Sequence, residues 1–72
     1  MPKSIKFRVL VSILHKLGYK EVRQKGSHII FGHLDGHLVV IPKHDEIRGG
    51  LLTKIIKEDL GLSKEDFFKL VK

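Results

Sequence analysis

At 72 residues the chain has room for one domain with a modest core. It contains no cysteine, which excludes disulfide staples and cysteine-ligated zinc. It is basic, with 14 Lys and Arg against 8 Asp and Glu, and its 42% hydrophobic content is too high for a disordered tail. No apolar run reaches the length of a membrane span, and residues Met1–Arg8 lack the apolar core and cleavage site of a secretory signal. A cytoplasmic protein is the expectation, with no membrane partner.

Residues 5–17 fit two patterns. Ile5, Phe7, Val9, Val11 and Ile13 alternate as in a strand, whereas Leu10, Ile13, Leu14 and Leu17 repeat as one face of a helix. Gly18 stands where a left-handed helix cap belongs, and His15 and Lys16 suit the last turn, so the spacing predicts a helix over Lys6–Leu17. Three strands follow, over Tyr19–Gln24, Ser27–His33 and His37–Ile41, with turns at Lys25-Gly26 and Asp35-Gly36. Pro42 cannot donate a ladder hydrogen bond and should end the third strand. A loop over Lys43–Gly49 leads to a second helix, whose face is Leu51, Leu52, Ile55, Ile56 and Leu60 and whose stop is Gly61. Ser63, with Asp66 three residues on, opens a short third helix around Phe67, Leu70 and Val71. The expected fold is a single α+β domain over 1–72: a three-stranded antiparallel sheet with helices on one face.

Two-residue hairpin loops set a trial register. They place Val22, Ile29, Phe31, Leu38 and Val40 on the core face. Arg23, His28 and Lys43 then form one row on the outer face, which also carries Ile30, Val39 and Ile41. A loop one residue longer would exchange the faces. In the trial register His28 lies among cations, and three apolar side chains await a cover that a partner protein would supply.

Charge supports the same locality. Residues 1–44 carry eight Lys and Arg against two acids, a net of +6, and residues 45–72 carry six of each. Such a surface suits phosphates, although a solvated basic face explains it equally well. Of the five histidines, His15 suits a helix end, His33 and His37 flank a turn without metal-ligand spacing, and His44 follows Pro42-Lys43 in a loop. No metal site is expected. His28 stands apart in a small-residue turn among cations.

The run Leu17-Gly18-Tyr19, followed by Val22-Arg23-Gln24-Lys25-Gly26-Ser27-His28, resembles the signature of the HicA (YcfA-like) toxins of prokaryotic toxin–antitoxin pairs. Phe31, Asp35-Gly36, Pro42-Lys43-His44, the run Gly50–Ile56, Gly61-Leu62-Ser63 and Phe67 extend it over nearly the whole chain. Two positions depart from the pattern: Leu51 stands where a threonine is common, and Gly32 where a basic residue is common. The resemblance implies an α-β-β-β-α fold like that of double-stranded-RNA-binding domains. It also implies a ribosome-independent endoribonuclease that cleaves mRNA without metal or other cofactor, and neutralisation by a HicB-like antitoxin through which any oligomer mainly forms. Carried over, it makes His28 the catalytic residue. Beside it, the cations and polar residues around the turn, Arg23, Lys25, Ser27, Lys43 and His44, are the expected RNA contacts, and the apolar outer face of the trial register, Ile30, Val39 and Ile41, is the expected antitoxin contact. A non-catalytic RNA-binding module of the same fold is the alternative, and a structural adaptor a third reading.

Overall fold

A computed structural model describes residues 4–71. The elements in order are β1 (Ser4–Lys6), α1 (Phe7–Lys16), β2 (Tyr19–Lys25), β3 (His28–His33), β4 (Leu38–Pro42), β5 (Glu46–Arg48), α2 (Gly49–Lys54) and α3 (Lys64–Phe68). The expected α-β-β-β-α order with a short C-terminal helix is present. β2, β3 and β4 form an antiparallel sheet in that order, and β1 pairs with β5 in a second, two-stranded one.

Each helix boundary has a local cause. α1 buries Leu10, Ile13 and Leu14 and ends at Gly18, whose φ of 96° suits a left-handed cap. α2 begins at Gly49, with Arg48 at its N-cap and no side-chain cap. It widens at Ile55–Asp59 into a π-helical turn, where the Leu60 N–H donates to the Ile55 carbonyl at 2.9 Å. α3 starts as expected: the Ser63 hydroxyl accepts from the Asp66 N–H at 3.1 Å. Ser63→Ala should cost about 1 kcal/mol and lower the melting temperature by roughly 4–8 °C in a thermal unfolding scan.

The β1–β5 pair lies where the sequence pattern suggests a helix approach and a loop. Ile5 and Ile47 face each other and are buried, and the Phe7 N–H donates to the Asp45 carbonyl at 3.0 Å. Strands of three residues with one apolar side chain each carry no periodicity to read.

The core joins the inner face of the sheet to the helices. Ile29, Phe31, Val39 and Ile41 from the sheet pack with Leu10, Ile13 and Leu14 of α1, Leu52, Ile55 and Ile56 of the second helical stretch, and Phe67 of α3. This corrects the trial register on β4. Val39 and Ile41, expected outside, are 1% and 0% exposed, whereas Leu38 and Val40, expected inside, are 65% and 49% exposed.

The cause is the second hairpin. A two-residue Asp35-Gly36 loop of the common type has positive φ at both residues, which aspartate tolerates. Only Gly36 adopts it, at 98°, and the loop has three residues, Leu34, Asp35 and Gly36, closed by the His33 N–H to the His37 carbonyl at 2.9 Å. The extra residue moves β4 by one, so every side chain on it changes face.

The first hairpin also differs from the trial. Its loop is Gly26-Ser27, with Gly26 at φ 62° in the first position. The trial loop would have put Lys25 in a left-handed conformation, which a lysine adopts only with strain. Lys25 instead lies opposite His28, a shift of two residues that leaves Arg23 and His28 on the outer face. Further along β2 a bulge at Val22 turns that side chain outward, to 58% exposure, although the trial register had it in the core. Val22 settles over Gly32. A Cβ at position 32 would lie 3.2 Å from Val22 Cγ1 and 3.4 Å from Leu38 Cδ2, so the bare backbone there lets the two side chains approach.

Candidate functional site

His28 is exposed at the first position of β3. Its direct cross-strand neighbours are Lys25 on β2 and Pro42 on β4. The next outward row is Arg23–Ile30–Val40. Paired positions on one face hold their Cβ atoms about 5 Å apart, so one ring and two cations share a patch smaller than a dinucleotide.

Two bonds fix this end of the sheet. The Lys43 N–H donates to the Ser27 carbonyl at 2.6 Å, which ties the turn to the end of β4. The Gln24 carboxamide donates to the Gly26 carbonyl at 3.0 Å. Lys43 therefore stays beside the turn, although Pro42 and not Lys43 lies opposite His28.

Of the residues named from sequence, Arg23, Lys25, Ser27, His28 and Lys43 gather here. His44 does not sit on the outer face: its N–H turns back to the Pro42 carbonyl at 2.9 Å, and it lines a separate cleft with Lys6, Arg8 and Arg48.

Three histidines have structural partners. His15 Nε2 is 3.7 Å from Glu21 Oε1. His33 Nε2 donates to the Leu17 carbonyl at 3.1 Å, and its ring meets Tyr19 edge-on with centroids 5.1 Å apart. With that proton on Nε2, the neutral ring accepts the Asp35 N–H at Nδ1, at 3.2 Å.

His37 Nδ1 lies 2.9 Å from Asp35 Oδ1, which also accepts the His37 backbone N–H. The backbone bond, then the ring, hold the Asp35 carboxyl below the usual carboxylate range. That contribution is present at neutral pH and is lost as pH falls through the lowered value. Among the described residues no group of three or more His, Cys, Asp and Glu is arranged to hold a metal ion.

The outer face beyond His28 is apolar. Ile30 is half-buried, while Val22, Leu38 and Val40 are exposed, and Leu34 at the hairpin tip is 99% exposed. An apolar outer face was expected, but on Ile30, Val39 and Ile41. Only Ile30 is common to both sets. Nothing in the alternation of β4 marks Leu38 and Val40 as the outward pair; the loop length decides it.

A family model described as the HicA toxin of bacterial toxin–antitoxin systems matches residues 7–62 of the 72-residue chain. The chain belongs to the HicA toxin family. No curated protein matches it significantly. The matched span runs from the start of α1 to just before Ser63, so it contains every polar site residue named above. Membership makes this HicA protein a toxin-family component of a toxin–antitoxin system. No helix among the described residues is long and apolar enough to cross a membrane.

Proposed function

We propose that this HicA-family chain is an endoribonuclease that cleaves mRNA at the outer face of its sheet, with His28 as the proton-transfer group. The observation that carries the reading is the placement of His28: exposed, opposite Lys25, in the row next to Arg23, and beside a turn tied to Lys43. An imidazole titrates near neutral pH and is suited to take or return a proton. In the proposed reaction the ribose 2′-oxygen attacks the adjacent phosphorus and the bond to the 5′-oxygen breaks. The 2′-hydroxyl proton leaves through a base, and the 5′-oxygen gains one from an acid. His28 fills one of these roles. Arg23, Lys25 and Lys43 balance the charge that builds on the phosphoryl oxygens. Ser27 contacts the backbone at the turn. The need for a 2′-hydroxyl selects RNA over DNA.

A HicB-like antitoxin is the proposed partner, working in the cytoplasm and supplying the main contacts of any oligomer. Its docking surface is the apolar outer face, now assigned to Val22, Ile30, Leu38 and Val40. A partner seated there covers the row adjoining His28 and blocks RNA without touching the core.

Product chemistry tests the proposal. Incubation with RNA in EDTA should yield 2′,3′-cyclic phosphate and 5′-hydroxyl ends. Cleavage that stops in EDTA would overturn the metal-independent scheme. Salt-sensitive RNA binding with no cleavage would reassign the chain as an RNA-binding module.

A further inference from the structure

A cleft lies apart from the residues gathered around His28. It measures about 980 Å³ and lies between the start of α1, the loop after β4, and the β5–α2 junction. Three separate elements bring cations to it: Lys6 ends β1, Arg8 is in the first turn of α1, and Arg48 ends β5. All three are exposed, and Arg48 retains 76% of its side-chain exposure beside Glu46, at 3.9 Å. That pairing is weak and solvated, and it leaves the guanidinium available.

The rest of the lining is as informative as the rim. Phe7 is half-buried, packed on the core while also lining the cleft, and Leu51 adds a second apolar surface at 38% exposure. An aromatic ring with an aliphatic neighbour, edged by cations, matches what an unpaired base and its phosphate require. The acids Asp45 and Glu46 argue against a trough for bare polyanions. They oppose phosphate locally, yet a carboxylate accepts hydrogen bonds from the amino edge of a base.

The chain links the cleft to the His28 turn. Pro42 is paired with His28, Lys43 is bonded to Ser27, and His44, next along the chain, lines the cleft.

We infer that this cleft is a nucleotide subsite for the RNA strand flanking the scissile phosphate. Phe7 stacks on a base, Arg8 and Arg48 hold phosphates, and His44 lies at the passage from the turn to the cleft. The inference rests on the RNA-directed reading of the His28 face, and it adds a binding site that the cleavage scheme does not contain. Its ligand is single-stranded RNA, because an unpaired base is needed to reach Phe7.

The test uses the His28→Ala chain and a single-stranded RNA of about eight nucleotides, a length typical for one small binding fold. Amide NMR titration should shift Arg8, His44 and Arg48 together with the turn at Gly26–Ser27. Arg8→Gln with Arg48→Gln should weaken binding about tenfold and reduce the log–log salt slope by about 1.4, at about 0.7 for each phosphate that is no longer neutralised. Phe7→Leu should weaken binding fivefold or more, as expected for removal of a stacking partner at about 1–3 kcal/mol. The arginine variants change only exposed side chains, so they report even if Phe7→Leu fails to fold.

Parent-like affinity and slope in the arginine pair would overturn the subsite and leave the nuclease reading standing. Shifts at the cleft on adding antitoxin but not RNA would overturn it in favour of a protein contact. Weakened binding in these variants, with no cleavage by the parent chain, would support the subsite while overturning the nuclease reading.

Discussion

Replacing His28 by alanine should reduce RNA cleavage by about 10²–10⁴-fold, the range for loss of a positioned proton-transfer group. That is about 3–5 kcal/mol on the barrier. The fold should hardly notice. His28 is exposed at the end of a strand, and the bonds that fix its turn come from Lys43, Ser27, Gln24 and Gly26. Surface substitutions of this kind stay within about 0.5 kcal/mol, so the melting temperature should move by no more than about 2–4 °C. RNA affinity should also change little, because Arg23, Lys25 and Lys43 remain. The measurement is a cleavage assay at fixed ionic strength, with thermal unfolding and RNA binding followed on the same preparation. Cleavage at the parental rate by a folded His28→Ala chain would remove His28 from the mechanism. A parallel loss of binding and cleavage would make it an RNA contact instead.

The contrast between His28 and the β4 residues explains what is legible in the sequence. The trial register turns His28 outward correctly despite a wrong partner, because the first turn shifts by two residues and an even shift conserves the face. β4 shifts by one, and every side chain on it changes face. Alternation within Leu38–Pro42 cannot break the tie, because Leu38, Val39, Val40 and Ile41 are all apolar. The arbiter is backbone conformation in the loops: only Gly26 and Gly36 take positive φ there, and each loop arranges itself around its glycine. The helices are easier to read. Burial in α1 follows a 3.6-residue period, and Gly18, Gly61 and Ser63 mark helix limits chemically, whereas Leu51 and Val71, expected on buried faces, are 38% and 36% exposed. The bulge at Val22 and the β1–β5 pair leave no trace in local pattern. Both depend on what lies across from them, the bare Gly32 in one case and a strand some 40 residues away in the other.

The assignment of faces on β4 can be tested with two substitutions at adjacent positions. Val39→Asp should unfold the protein or bring it close to unfolding. Val39 is 1% exposed, lies opposite Phe31, and belongs to the cluster that also holds Ile41 and Phe67. An unpaired carboxylate there, together with the lost packing, costs about 3–5 kcal/mol or more. A domain of this size has roughly 4–11 kcal/mol in total at the usual 0.05–0.15 kcal/mol per residue. Val40→Asp should remain folded, with a change below about 1 kcal/mol, since a half-exposed side chain beside Ile30 already meets water. Its effect should appear in association. A carboxylate in the middle of the apolar outer face should weaken antitoxin binding by about 30-fold, the scale of a hot-spot loss near 2 kcal/mol. Circular dichroism and thermal unfolding separate the pair, and co-purification with the antitoxin reads the second effect. In the alternative register the two variants would exchange behaviour, with Val39→Asp folded and Val40→Asp unfolded. A folded Val40→Asp chain that still binds antitoxin at parental strength would keep the register and move the partner off this face, so fold and function are tested apart at neighbouring residues.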